Sequence, residues 1–204
     1  MASESDMAIL ALTTQQLDYL ARQDTHLEPI FRGVFASDRL PKKNDARKRS
    51  AYIVNVDTHD KPGSHWLSIF AENDRCEVFD SYGVPLTWYK PTPFVNWIFM
   101  HYGRVSSNSW RMQVTDSSTC GHYALFHAMA RARGNTFSDF IDQFQHGKYI
   151  ENDRKMTEKL TNLVTDYVIK LGHEENQQGV LRSVKKHVSL LDIWIKTLTQ
   201  RNNP

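Results

Sequence analysis

The chain has 204 residues, 40% of them hydrophobic and 24% charged, with a net charge of +2 and two cysteines. That length suffices for one domain with a real core, and residues 1–204 are expected to form a single domain. No apolar run reaches the roughly 18 residues of a membrane span. Two cysteines make neither a disulfide framework nor a CxxC metal pair, so no metal is expected. So small a net charge does not by itself point to a nucleic-acid partner, and only its clustering could. The first sixteen residues carry no basic region and only a short apolar patch, so no signal peptide is expected. A reducing compartment fits the two thiols.

The predicted elements follow in order. Leu17, Leu20 and Ala21 recur at helical spacing behind Thr13 and Thr14, either of which can cap a short helix. Residues 27–41 read as loop, with a short strand over Phe31–Phe35. A basic stretch follows, with Lys42, Lys43, Arg47, Lys48 and Arg49. It reads first as a solvated loop and second as a nuclear-import signal or phosphate-contacting patch. Three strands are predicted next, Ser50–Asp57, His65–Glu72 and Cys76–Gly83, with short joints that suggest an antiparallel meander. Thr92–Tyr102 reads as a helix with Pro93 in its first turn, and Ser109–Val114 as a short strand. The apolar run after Cys120 reads as a buried helix stopped by Arg131, Arg133 and Gly134. Phe137–Phe144 is a further helix with Thr136 as its cap. Asn152–Leu171 carries an apolar stripe of Met156, Leu160, Leu163, Val164, Tyr167, Val168 and Leu171, ended by Gly172. Residues 173–179 form a polar link, and Val188–Leu198 a terminal helix. Strands in the middle and helices at both ends give an α+β class, with a central, mostly antiparallel sheet flanked by helices.

Cys120 carries the chemistry. The small polar residues Asp116–Thr119 deliver it to the first turn of its helix, where unpaired N–H groups and the positive dipole end favour a thiolate. A cysteine nucleophile needs a base, a group to orient that base, and donors for an oxyanion. His65 starts one predicted strand and Asp80 ends the next, so a hairpin pairing brings them together. Gln113, seven residues before Cys120, can offer an amide N–H beside the Cys120 backbone N–H. Each residue also has an ordinary reading. Buried cysteines are usually small hydrophobes, Cys76 inside a strand reads as structural, and Trp66 reads as core. His59, His101, His122 and His127 are rival bases, though Cβ direction turns the last two away from a first-turn thiol.

Taken together, His65-Trp66, Asp80, Gln113 and Cys120-Gly121 resemble, in order and spacing, the signature of the cysteine-protease superfamily that contains adenovirus endopeptidase (adenain) and the SUMO-specific proteases. The similarity runs from about Phe31 to Gly134. It implies a papain-like core with permuted order, with His65, Asp80, Gln113 and Cys120 catalytic and Trp66 and Gly121 lining a narrow substrate approach. The seven-residue spacing and the chain length are similar to those of adenain, which implies a viral endopeptidase cutting precursor proteins at Gly-Gly or Gly-X sites during virion maturation. Such an enzyme would act as a monomer on protein substrates, away from membranes, in the host nucleus and the virion. A deconjugating protease for ubiquitin-like modifiers, intracellular, is the alternative; a non-catalytic capsid or DNA-binding module is the third reading. The chemistry itself needs no cofactor. Adenain-like activation by a viral peptide or DNA is a further implication, with Lys42, Lys43, Arg47, Lys48 and Arg49 as the DNA contact. No cysteine lies between Asp80 and Gln113 to match the adenain peptide disulfide.

Overall fold

Alternation along the central strands sends two rows of side chains to opposite faces of one sheet. The computed structural model, which describes residues 11–42 and 48–178, orders five strands side by side as β1 (Phe31–Ala36), β2 (Ser50–Asn55), β3 (Trp66–Glu72), β4 (Arg75–Phe79) and β5 (Arg104–Ser107). The meander β2–β3–β4 is antiparallel as expected. β1 and β5 add to its two edges in parallel, so the α+β class holds with a mixed sheet in place of a mostly antiparallel one. A parallel pair needs a crossover, and the β4–β5 crossover is helix α2 (Pro93–His101).

One row, including Tyr52, Val54, Leu67, Ile69, Cys76 and Val78, packs with Phe94, Val95, Trp97 and Ile98 of α2. The opposite row meets α3 (Cys120–Ala132). There His127 Nδ1 lies 3.0 Å from Ser68 Oγ, Phe79 stacks on His127 at 4.9 Å, and Arg131 caps Phe70 and pairs with Glu77 at 2.6 Å. β2 is buried along its whole length, as a strand covered on both faces must be. Each fully buried Val, Leu or Ile contributes about 1.5–3 kcal/mol. The catalytic candidates therefore hang from a rigid three-layer sandwich.

The helix ends obey local chemistry in most places. Helix α1 (Thr14–Gln23) starts with a capping box between Thr13 and Gln16, and α4 (Phe137–Ile141) with one between Thr136 and Asp139. α3 ends in a Schellman motif: Asn135 N–H reaches Ala130 C=O, Gly134 N–H reaches Arg131 C=O, and Gly134 takes φ +89°.

Two local expectations are corrected. Ser109–Val114 is not a strand, because the N–H groups of Met112 and Gln113 both turn to the Ser81 carbonyl, at 2.8 and 3.2 Å. The strand lies earlier, at Arg104–Ser107, a mostly exposed edge with no apolar alternation to announce it. The start of α3 carries no side-chain cap, and the Thr119 hydroxyl pairs with Ser117 Oγ at 2.9 Å. Gly172 does not end the last helix: α5 spans Tyr149–Gln178 and takes in most of the predicted polar link, because one interior glycine costs only about 1 kcal/mol among good helix formers. Of the predicted stripe, Met156, Leu160 and Val164 are buried and Leu163 is half-buried. The side chains of Tyr167, Val168 and Leu171 lie outside the described residues, as does the predicted helix Val188–Leu198.

The described residues divide into two units, one reaching residue 156 and one running from residue 157 to 178. The first holds the five strands, α1 to α4, and every residue of the candidate site. The second holds the later turns of α5. No described helix is long and apolar enough to cross a membrane.

Candidate active site

The hairpin β3–β4 sets the geometry. Ser68 pairs with Phe79, so the residue just before β3 and the residue just after β4 fall at the same end of the sheet. There His65 Nε2 lies 2.7 Å from Asp80 Oδ1, with His65 6% and Asp80 2% exposed. Behind His65, its carbonyl accepts from Val56 N–H at 3.0 Å, and Asn55 Oδ1 accepts from Ser64 N–H at 3.3 Å. The turn into the histidine is thus tied to β2.

Asp80 is held by more than the imidazole. Its carboxylate accepts from the backbone N–H groups of Tyr82 at 2.8 Å and Val84 at 3.1 Å, and from the Tyr89 hydroxyl at 2.8 Å. Its own backbone is clasped by the Asn108 amide, which donates to the Asp80 carbonyl at 2.6 Å and accepts from its N–H at 2.9 Å. A buried carboxylate with this many donors has no freedom to swing away from the histidine.

The same turn fixes Gln113. Ser81 Oγ donates to Gln113 Oε1 at 2.6 Å, which leaves the amide nitrogen to donate to the Ser117 carbonyl at 2.8 Å and, weakly, to the Tyr82 hydroxyl at 3.4 Å. Gln113 is fully buried. Asp153, near the start of α5, accepts from Val114 N–H at 3.2 Å and from the Tyr123 hydroxyl at 3.0 Å. Asn152 beside it donates to the Met112 carbonyl at 3.2 Å. The segment from Gln113 to Cys120 is therefore anchored at its start by the Asp80-Ser81-Tyr82 turn and from below by α5.

Cys120 opens α3, 8% exposed, beside the free N–H groups of the helix start. Burial alone would lower the pKa of His65. Hydrogen bonding and charge from Asp80, then from Cys120, outweigh it and raise the value to about 9. The Cys120 thiol is thus among the groups that favour the charged ring. No well-formed hydrogen bond joins thiol and ring, because His65 Nδ1 is buried without a partner. Asp80 occupies Nε2, so Nδ1 is the ring nitrogen left without a hydrogen-bond partner.

The rival bases are engaged elsewhere. His59 pairs with Asp38 at 2.6 Å on the surface, and His101 bonds the Trp97 carbonyl at 2.7 Å. His122 and His127 are buried on α3, where desolvation lowers them to about 4 and about 3. Cys76 is buried between β4 and α2, and burial raises its pKa far above the ordinary thiol range.

Trp66 and Gly121 meet in packing. The indole N–H donates to the Leu12 carbonyl at 3.1 Å. A Cβ on Gly121 would lie 3.1 Å from Leu12 Cβ and 3.3 Å from the indole, so glycine lets α3 sit close under Trp66. Of the basic stretch, Lys42 and Lys48 are exposed and Lys43 and Arg47 lie outside the described residues. Arg49 turns inward, donating to the Arg131 carbonyl at 2.6 Å and pairing with Glu72 at 3.4 Å.

Several residues of the site escape a reading of the sequence. Tyr82, Ser81, Tyr89, Asn108 and Asp153 are common residue types whose roles come from distant pairings. Tyr82 alone left a trace, as an aromatic two places beyond the strand-end carboxylate. Among the described residues no group of three His, Cys, Asp or Glu could hold a metal ion.

No protein-family model matches the chain, and no curated protein sequence does. Among solved structures it is similar to the crystal structure of the ASFV pS273R protease, with a TM-score of 0.50 and 19% identity over 72% of this chain and 66% of that one. The selenomethionine form of that protease gives a TM-score of 0.49 at 18% identity. The chain spans about two thirds of the length of these proteases. The α+β fold of this chain, a five-stranded mixed sheet flanked by helices, is similar to the fold of the first of these proteases.

Proposed function

We propose that the chain is a cysteine endopeptidase. The observation that carries this reading is His65, fixed through Nε2 to a fully satisfied buried carboxylate with Nδ1 unpartnered, its pKa raised by Asp80 and then by a cysteine that starts a helix. The thiolate of Cys120 attacks the scissile carbonyl carbon, forming the C–S bond as the carbonyl π electrons move to oxygen. The backbone N–H of Cys120 and the Gln113 amide bind that oxyanion. His65, protonated on Nδ1, gives its proton to the departing amine as the C–N bond breaks. Asp80 keeps the ring oriented and compensates its charge. Water, deprotonated by His65, then hydrolyses the thioester.

The substrate class rests on resemblance: viral precursor proteins with Gly-Gly or Gly-X at the cut, approached past Trp66. The fold shared with an ASFV protease supports the viral branch. Lys42 and Lys48 are the described part of a surface for viral DNA. Cys120→Ala should abolish cleavage of glycine-containing precursor peptides while the melting temperature stays within a few degrees; retained turnover refutes the nucleophile. In the same assay, cleavage of ubiquitin-like fusions in place of precursor peptides would move the enzyme to the deconjugating class.

A further inference from the structure

Tyr82 touches three of the four groups in the proposed mechanism. Its backbone N–H donates to Asp80 Oδ1 at 2.8 Å, the same oxygen that receives His65 Nε2. Its ring stacks on the His65 imidazole, with centroids 4.5 Å apart and planes inclined by 26°. Its hydroxyl accepts from Gln113 Nε2 at 3.4 Å and donates to the Thr115 carbonyl at 3.0 Å. The fourth group, Cys120, lies near enough for its charge to contribute, after desolvation, to raising the Tyr82 pKa. We infer that Tyr82 is a positioning residue that holds the proposed base and the proposed oxyanion donor in one register. This rests on the protease reading.

Two physical effects are combined in the one side chain. The π face of the phenol is electron-rich, so a ring stacked on an imidazole favours its cationic form. That is the form of His65 required beside a thiolate. The hydroxyl acts on Gln113. One amide hydrogen is committed to the Ser117 carbonyl at 2.8 Å, and the second points to Tyr82 across a long, weak contact. A donor held weakly is oriented yet free to turn to a stronger acceptor, as an oxyanion is. The Thr115 carbonyl, by taking the phenol hydrogen, keeps the phenol oxygen as the acceptor for Gln113. Ser81 and Tyr82, adjacent in sequence, thus fix the two ends of the Gln113 amide: Ser81 its oxygen, Tyr82 its nitrogen.

Two variants separate the effects. Tyr82→Phe keeps the ring and removes the hydroxyl. It should leave the His65 midpoint, read from imidazole proton NMR shifts against pH, unchanged. It should also speed hydrogen exchange of the Gln113 side-chain amide and lower kcat by about tenfold with KM unchanged. That falls short of the ~100-fold or more lost with an oxyanion donor itself. Tyr82→Leu removes the ring and should lower the His65 midpoint by about half to one pH unit, with alkylation of Cys120 by iodoacetamide moving in parallel. An unchanged midpoint in Tyr82→Leu, or unchanged Gln113 exchange in Tyr82→Phe, overturns the proposal. Should Tyr82→Leu fail to fold, the exchange and kcat arms of Tyr82→Phe decide. If the wild-type protein cleaves nothing, the protease reading fails, while the two NMR measurements still decide the role of Tyr82.

Discussion

Asp80 shows how much a single side chain can be asked to do. Its two carboxylate oxygens serve one imidazole, two backbone N–H groups and a phenol. Asp80→Asn keeps a similar shape but removes the charge that raises His65. The His65 midpoint should fall, and cleavage with it, under a pH titration by NMR. Asp80→Ala leaves several buried donors unanswered, at about 1–3 kcal/mol each, and chemical denaturation should show the loss directly. The two cysteines differ as sharply. Iodoacetamide near pH 7 should label Cys120 in the folded protein and reach Cys76 only on unfolding, since Cys76 is sealed between β4 and α2 and burial raises its pKa. Peptide mapping of the alkylated sites tests this.

Among the elements, the turn after β4 matters most, because it carries Asp80, Ser81 and Tyr82 in succession. It closes through Gly83, whose φ is +63° and whose position leaves no space: an added Cβ would lie 2.2 Å from the Trp110 carbonyl carbon. Gly83→Ala should cost about 3 kcal/mol or more and reduce cleavage by displacing Gln113, read together as denaturant midpoint and kcat. The helix caps carry a smaller share. Thr13→Ala and Thr136→Ala each remove a capping box and should cost about 1 kcal/mol, with activity retained because neither helix start supplies a side chain to the site. The start of α3 is different, for it has no side-chain cap. Its unpaired N–H groups remain available to an anion, the condition the proposed oxyanion hole requires.

For the molecule as a whole, buried histidines set opposing limits on stability with pH. His65 has its folded pKa raised from 6.5 to about 9. Its contribution is fully present below pH 6.5 and is lost as pH rises through about 9. His122 and His127 have theirs lowered from 6.5 to about 4 and about 3 by desolvation. Their contributions are present above pH 6.5 and lost as pH falls toward 4 and then 3, because the unfolded chain binds protons that the folded chain refuses. The melting temperature should therefore peak near neutrality and fall on both sides. His127→Gln should flatten the acid limb if the variant folds, measured by calorimetry between pH 4 and 8.

The three central strands, the cap at Thr136, the narrowing of the α1 cap to Thr13 or Thr14 and the α3 stop at Gly134 were legible in the sequence, since each depends on residues a few places apart. So was the meeting of His65 with Asp80, since strand ends in a hairpin face one another by construction. β5 and the turn that replaced the predicted strand at Ser109–Val114 were not, because one is an exposed edge without periodicity and the other is held by a single distant carbonyl. The clasp of Asn108 on Asp80, the grip of Asp153 on the Gln113 segment and the stack of Tyr82 on His65 appear only in the folded chain. Short-range pattern encodes elements and their ends. Contacts between residues far apart in sequence leave no periodic trace, and it is those contacts that turn four ordinary side chains into a candidate active site.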